Sequence, residues 1–204
     1  MLSNGDSTLK SRSTLSFCLA LLAGLSTTNA SALESKPTVE TLVKLFSQLS
    51  STGPANQSVL TQAAQYIDYR AMAQSSLGPQ WDKLSEAQRD EFTKSFRTLV
   101  EKRYYPRWHK IFSKSQVSYG KESQQSRLTR VKTQITLKDS VQEVDWDLKA
   151  EGAAAKVVNL TVENKDLVMR VGRRFQQRLA KSGFPAFIAW IKTQANKSAG
   201  ASED

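Results

Sequence analysis

VVNLTVENKDLVMRVGRRFQQRL, Val157 to Leu179, changes its period partway along. Val158, Leu160 and Val162 alternate with other residues, the two-residue repeat of a strand with one buried face. Asn164 suits a left-handed turn position, and Asp166 suits a helix N-cap. Beyond it, Val168, Val171, Phe175 and Leu179 fall on one side of a helix. Arg170, Arg173, Arg174, Arg178 and Lys181 gather on the other. No acidic residue lies between Leu167 and Lys181, so this face is either a solvated surface or a match for an acidic membrane or partner.

Upstream of this corner the period is two from Val117 onward. Val131, Thr133, Ile135 and Leu137 face one side, and Arg130, Lys132, Gln134 and Thr136 the other. Val144, Trp146 and Leu148 alternate with Glu143, Asp145 and Asp147. A four-residue loop, Lys138 to Val141, predicts a hairpin pairing Ile135 with Val144 and Val131 with Leu148. That register sets Lys132 opposite Asp147 on the outer face.

Before the strands the spacing is helical. Val39, Leu42, Val43, Leu45, Phe46 and Leu49 predict one helix, which Ser51 to Gln57 interrupts. A second helix is expected from Ser58, with Val59, Leu60, Ala63 and Ala64 inward. A third spans Ile67 to Leu77 and stops at Gly78-Pro79. Ser85-Glu86-Ala87-Gln88 reads as a capping box. The helix it opens carries Phe92, Phe96, Leu99, Val100 and Tyr104 on one face, and Pro106 marks its end or a kink. Helices, an antiparallel meander, then a helix: the order predicts an α+β fold with helices on one face of a sheet.

The first 32 residues read as an export signal. Lys10 and Arg12 precede an 11-residue apolar run, Leu15 to Leu25, which is followed by Ala30-Ser31-Ala32. A membrane span needs about 20 apolar residues. Cleavage after Ala32 leaves 172 residues, expected as one domain over 33–195 with a polar tail, 196–204. The one cysteine, Cys18, leaves with the signal, which rules out a disulfide or thiolate in the remainder. Losing Lys10, Arg12 and Asp6 leaves 27 basic and 18 acidic residues, a net charge of +9. Outside the cytosol, that balance suits membrane head groups or acidic proteins rather than nucleic acid.

Catalytic and metal-binding patterns are sparse. The one histidine, His109, lies in YYPRWHK, without a second histidine or a cysteine to complete a zinc site. There is no Gly-x-Ser-x-Gly elbow, phosphate loop or dinucleotide fingerprint. Glu143, Asp145 and Asp147 are the best carboxylate cluster, but they share the strand face that also holds Arg130 and Lys132. A solvated face outweighs a hydrolase there, and binding is the expected class, with no enzyme activity, cofactor or metal.

Several pieces of the chain together resemble the periplasmic phospholipid-binding proteins of the toluene-tolerance/Mla type (MlaC-like). They are Ile67-Asp68-Tyr69-Arg70-Ala71-Met72-Ala73, Leu77-Gly78 with Trp81, Leu84 to Arg89 leading to Phe92, Phe96-Arg97-Thr98-Leu99, and the passage from Val157 to Phe175. The resemblance implies a curved antiparallel sheet and helices enclosing an apolar lipid cavity, in a monomeric periplasmic shuttle. Such a shuttle carries phospholipid between an outer-membrane lipoprotein complex and an inner-membrane ABC transporter with an MCE-domain subunit. It implies tail contacts from the sheet residues Val131, Ile135, Val144, Trp146, Val158, Leu160 and Val162. Val168, Val171, Phe175 and Leu179 would close over them, and Phe96, Leu99, Val100 and Tyr104 would form the opposing wall. Each of these residues also suits plain core. Arg170, Arg173, Arg174, Arg178 and Lys181 would be the docking surface. The chain departs from the family where Asp166-Leu167-Val168 and Arg170-Val171-Gly172 replace a Ser-Leu-Val start and a following Asn-Tyr-Arg. Pro106-Arg107-Trp108 also stands where small residues are common. Those departures leave open a different lipid, such as a hopanoid. A filled-core interaction module is the alternative from another class.

Overall fold

Five strands lie side by side in the order in which the chain makes them. They are β1 (Gln116–Gln125), β2 (Leu128–Leu137), β3 (Ser140–Glu151), β4 (Ala154–Val162) and the short β5 (Lys165–Asp166), all antiparallel. The structure is a computed structural model describing residues 35–49, 55–152 and 154–197, all within the unit spanning 33–204. The expected signal, residues 51–54 of the Ser51–Gln57 break and most of the polar tail lie outside the described residues.

The faces of β2 and β3 are those the alternation predicts, but the register differs by two residues. Val131 pairs with Trp146, Thr133 with Val144 and Ile135 with Gln142. The turn holds only Lys138 and Asp139, with Lys138 at φ 53°, and closes Leu137 onto Ser140. Two-residue turns with a left-handed position match the twist of paired strands, so the shorter loop wins. An even shift keeps each side chain on its face and changes only its partner. Arg130, not Lys132, therefore meets Asp147. Its Nε and Nη2 donate to the two carboxylate oxygens at 2.6 and 2.9 Å.

A bulge in β4 has a larger effect. Asp147 pairs with Asn159 and Leu148 with Val157, so Val158 is the extra residue. Leu160 faces the core on one side of the bulge, while Val157 and Ala155 do so on the other. Val158 is buried outside that core cluster. Within the sheet, Trp146 donates through Nε1 to Thr133 Oγ1 at 3.0 Å, which satisfies both buried groups.

Helices cover the inner face. α1 (Ser35–Gln48) reaches β4 through a hydrogen bond from Thr38 Oγ1 to Ala155 O. α2 (Ala55–Ala63) begins three residues earlier than Ser58 and runs into a 3₁₀ turn. Ile67 forms a parallel bridge with Val157, and Asp68 N donates to Val157 O at 2.9 Å before the Asp68 side chain caps α3 (Tyr69–Leu77). The predicted capping box opens α4 (Glu86–Leu99). α4 continues through a π-helical turn, Val100–Tyr104, into α5 (Tyr105–Phe112). Pro106 lacks an N–H and its ring would strike the carbonyl four residues back. The widened turn takes up that conflict and leaves proline in the first turn of the new helix.

α6 (Leu167–Asn196) follows the corner, with Asp166 Oδ1 accepting from Met169 N at 2.7 Å. Glu163 and Asn164 (φ 49° and 60°) form the preceding turn, as Asn164 led us to expect. The helix breaks at Gly183 (φ 72°, ψ 169°), and Pro185 restarts it. The second half returns over α4, where Phe187 meets Phe92 at 5.3 Å between ring centroids.

Candidate functional site

The first half of α6 crosses above β4 and beside the run from α4 through the π turn to α5. The crossing is close because position 172 has no side chain. A Cβ on Gly172 would lie 2.4 Å from the carbonyl oxygen of Ser76 in α3. Gln176 Nε2 donates to that same oxygen at 3.0 Å and fixes the contact.

This arrangement leaves a cleft beside α6. Its mouth, a cavity of about 320 Å³, is lined by Leu99, Arg103, Tyr104, Arg170, Val171, Arg174, Phe175, Trp190 and Gln194. Leu99, Tyr104, Val171 and Phe175 are also walls of an apolar crevice of about 50 Å³, completed by Met72, Phe96, Val100, Trp108, Leu160, Leu167 and Val168. Trp108, Leu160 and Leu167 are in turn walls of a second crevice of about 50 Å³. That one lies under the sheet with Ile111, Phe112, Ile135, Gln142, Val144, Trp146 and Val162. The walls thus pass from a charged opening to an apolar slot. Each crevice has room for one or two waters at about 30 Å³ apiece.

Most of the residues expected to contact a ligand lie on this path. Phe96, Leu99, Val100 and Tyr104 form one wall, and Val168, Val171 and Phe175 the other. Ile135, Val144, Trp146, Leu160 and Val162 line the inner crevice. Three do not line it. Val131 and Leu179 are core residues, 0% and 7% exposed, and the bulge takes Val158 away from the core. Trp108, Ile111, Phe112, Met72 and Leu167 were missed as cleft residues. Phe112, Trp108 and Tyr105 recur at helical spacing, a signal that was present in YYPRWHKIF.

The basic residues of α6 separate into two groups. Arg170 and Arg174 stand in the mouth, whereas Arg173 and Lys181 are exposed elsewhere on the helix. The Arg178 guanidinium lies 5.7 Å from the centre of the Trp190 ring. Arg103, which the sequence did not single out, is 4% exposed at the base of the mouth. Its Nη1 donates to Gln194 Oε1 at 3.3 Å and to Gln194 O at 3.5 Å.

The remaining titratable candidates are structural. His109 Nδ1 contacts Phe46 O at 3.3 Å, on α1. Arg130 binds Asp147 through two hydrogen bonds and lies 3.6 Å from Asp145, on the outer face of the sheet away from the cleft. Behind the cleft the Tyr69 and Tyr105 hydroxyls hydrogen-bond to each other. Burial raises the pKa of both phenols. Among the described residues, no group of three or more His, Cys, Asp or Glu is placed to hold a metal, and no helix is long and apolar enough to cross a membrane.

Comparison with known proteins bears on this geometry. A solved phospholipid-binding protein from Ralstonia solanacearum, in complex with a phospholipid, shares the fold with a TM-score of 0.64. It is 14% identical, and the likeness covers 79% of this chain and 96% of that one. No curated protein matches the chain. The family described as MlaC protein matches residues 37–193, from α1 to the last turns of α6, so the chain belongs to the MlaC family.

Proposed function

We propose that the protein is a periplasmic phospholipid shuttle that binds acyl chains in the cleft and exchanges them between membrane-bound partners without chemistry. The observation that carries this is the graded wall beside α6, charged at the mouth and apolar along Val171, Phe175, Leu160 and Trp146. A phospholipid has that same gradient. Burying acyl chain is worth about 0.8 kcal/mol per CH₂, so two ordinary chains amount to roughly 25 kcal/mol gross. A carrier must therefore enclose nearly all of both. The crevices of about 50 Å³ are too narrow for that. Loading requires the first half of α6 to move away from the sheet and from α4. The break at Gly183 and the π turn at Val100–Tyr104 flank the wall that moves. The exposed Arg173, Arg178 and Lys181 supply a basic surface for docking to an outer-membrane lipoprotein complex and an inner-membrane MCE-domain ABC transporter.

The second reading, an interaction module with a filled core, is favoured by the narrowness of those crevices. Native mass spectrometry of the protein purified from a bacterial periplasm separates the two. A stoichiometric added mass, identified as phospholipid by lipid analysis, is expected. A bare protein mass that stays unchanged after incubation with phospholipid vesicles would assign the basic helix to protein contacts over a filled core.

A further inference from the structure

We infer that the exposed face of the first half of α6 docks directly on an anionic lipid bilayer, with Met169 entering the interface. This goes beyond the carrier reading and stands whether or not the cleft holds cargo. Among the described residues, the large apolar side chains left exposed are Val141, in β3, and Met169. Met169 is 50% exposed in the first turn of α6, where its N–H donates to the capping Asp166. At 100° per residue, Arg173 stands one turn further along the same edge. Gln177, Lys181 and Arg174 fill the rest of the exposed arc. Val168, Phe175 and Leu179 point the other way, into the core. The face therefore joins one apolar side chain to a run of cations, and no acidic residue lies between Leu167 and Lys181.

Neighbouring elements do not neutralise that face. α4 packs against α6, and its acids are held by other cations, Glu86 and Asp90 by Arg70 and Glu91 by Lys192. Glu101, in the π turn, pairs with Arg97. Asp166 accepts from Met169 N and from Asn159 Nδ2 within the corner itself. α3, whose Ser76 carbonyl meets Gly172, exposes the uncharged Gln74 and Ser75. The 3₁₀ turn that follows, Gly78–Lys83, sets Lys83 next to Asp82. The cations of α6 stand on long stems along a convex ridge. Mobile lipid phosphates gather beneath such a ridge, whereas a folded partner must present carboxylates at fixed points. Each cation close to an anionic leaflet strengthens binding about fivefold. Val171 and Arg174 also line the cleft mouth, so the same contact brings that mouth to the lipid surface.

The test is cosedimentation of the purified protein with vesicles of phosphatidylcholine alone, or of phosphatidylcholine mixed with phosphatidylglycerol. Binding to the mixed vesicles is expected at about 0.1 M salt. It is lost at about 1 M, where the Debye length shrinks from about 10 to about 3 Å. Arg173→Gln/Lys181→Gln weakens binding about 25-fold, and Met169→Gln about fivefold. All three side chains are exposed and glutamine is a good helix former, so the fold survives. Lys121→Gln/Lys149→Gln removes the same charge from the exposed sheet and stays within about twofold of the parent. A polarity-sensitive dye on Met169→Cys, in a Cys18→Ser background, shifts to the blue on mixed vesicles, and the same dye on Lys149→Cys does not. Equal weakening by the two charge variants would reduce the effect to net charge and overturn the assignment. An unshifted dye at position 169 in vesicle-bound protein would overturn the orientation. Equal binding to both vesicle types would remove the anionic requirement and the proposal with it. No binding to the mixed vesicles would give this face to an acidic protein partner instead. Native mass spectrometry reads loading separately, so protein that carries lipid yet sediments with no vesicle keeps the carrier reading and loses this one.

Discussion

Leu160 and Leu179 offer a direct way to tell a tail-binding wall from a core. Both are leucines predicted to touch lipid, and they are 5% and 7% exposed. Only Leu160 lines the cleft, where it is shared between the two crevices. Replacing either by alanine in the lipid-free protein costs about 2–5 kcal/mol, of which transfer of the lost methyl groups is roughly 2 kcal/mol. The rest is cavity: at about 24 cal/mol per Å³, a void of about 80 Å³ costs roughly 2 kcal/mol. At Leu179 that term is the same whether or not lipid is present. At Leu160 a flexible acyl chain fills the void, and the loss in the loaded protein is smaller by about 2 kcal/mol.

Linkage makes the same quantity visible twice. If Leu160→Ala destabilises the loaded form less than the empty form by about 2 kcal/mol, it must bind lipid about 30-fold more tightly. Urea unfolding of the parent and both variants, with and without saturating phospholipid, gives the first value. Competition between parent and variant for a limiting amount of lipid gives the second. Equal responses of Leu160→Ala and Leu179→Ala to lipid would refute the placement of acyl chains between β4 and α6.

Other perturbations probe the frame of the cleft. Gly172→Ala forces a Cβ to within 2.4 Å of the Ser76 carbonyl oxygen, in backbone that cannot swing aside. Overpacking of about 1–3 kcal/mol outweighs the gain in helix propensity, and urea denaturation should show a net loss. Tyr69 and Tyr105 have folded-state pKa values raised above 10.0, mainly by burial. Their contribution is intact below pH 10 and declines above it, because the unfolded chain ionises there while the folded one does not. Each tyrosine adds up to about 1.4 kcal/mol of lost stability per pH unit above 10, and the slope should flatten in Tyr69→Phe/Tyr105→Phe. An unchanged alkaline slope in that variant would show that the pair does not set it.

Much of the fold was legible because periodicity is a statement about faces. Thr133, Ile135, Val144 and Trp146 all point where alternation put them. Partners were harder to read, since they depend on whether a turn such as Lys138-Asp139 tolerates φ above zero, and neither residue is a strong marker of that. The bulge at Val158 was invisible for a related reason. Val157 and Val158 are both β-branched, and only the ladder decides which one faces the core. Trp108 was missed because Pro106 was read as the end of a helix or a kink in it, and the apolar face was followed no further. A π turn instead absorbed the proline and carried the helical period on to Phe112. Arg103 lies within the same turn, and its burial against Gln194 depends on a contact 91 residues away.

The distinction between core and cleft escapes a sequence for a deeper reason, and the narrow crevices show it. A space for two acyl chains, several hundred Å³ in extent, would cost an empty protein on the order of 10 kcal/mol at about 24 cal/mol per Å³. That rivals the whole stability of a domain, about 5–15 kcal/mol. A carrier lacking its cargo must therefore collapse its walls onto each other, and the residues chosen for lipid become core while it is empty. Phe175 would be such a residue on the carrier reading: it packs edge-on against Phe92 and Phe96 at 6.0 and 6.3 Å while lining the cleft. On the carrier reading, loading exchanges apolar contacts within the protein for apolar contacts with acyl chain, and the net change in buried area stays small. Cargo can then be both shielded in transit and surrendered at a membrane, because the closing of α6 over Leu160 and Val171 offsets much of what leaves with the lipid.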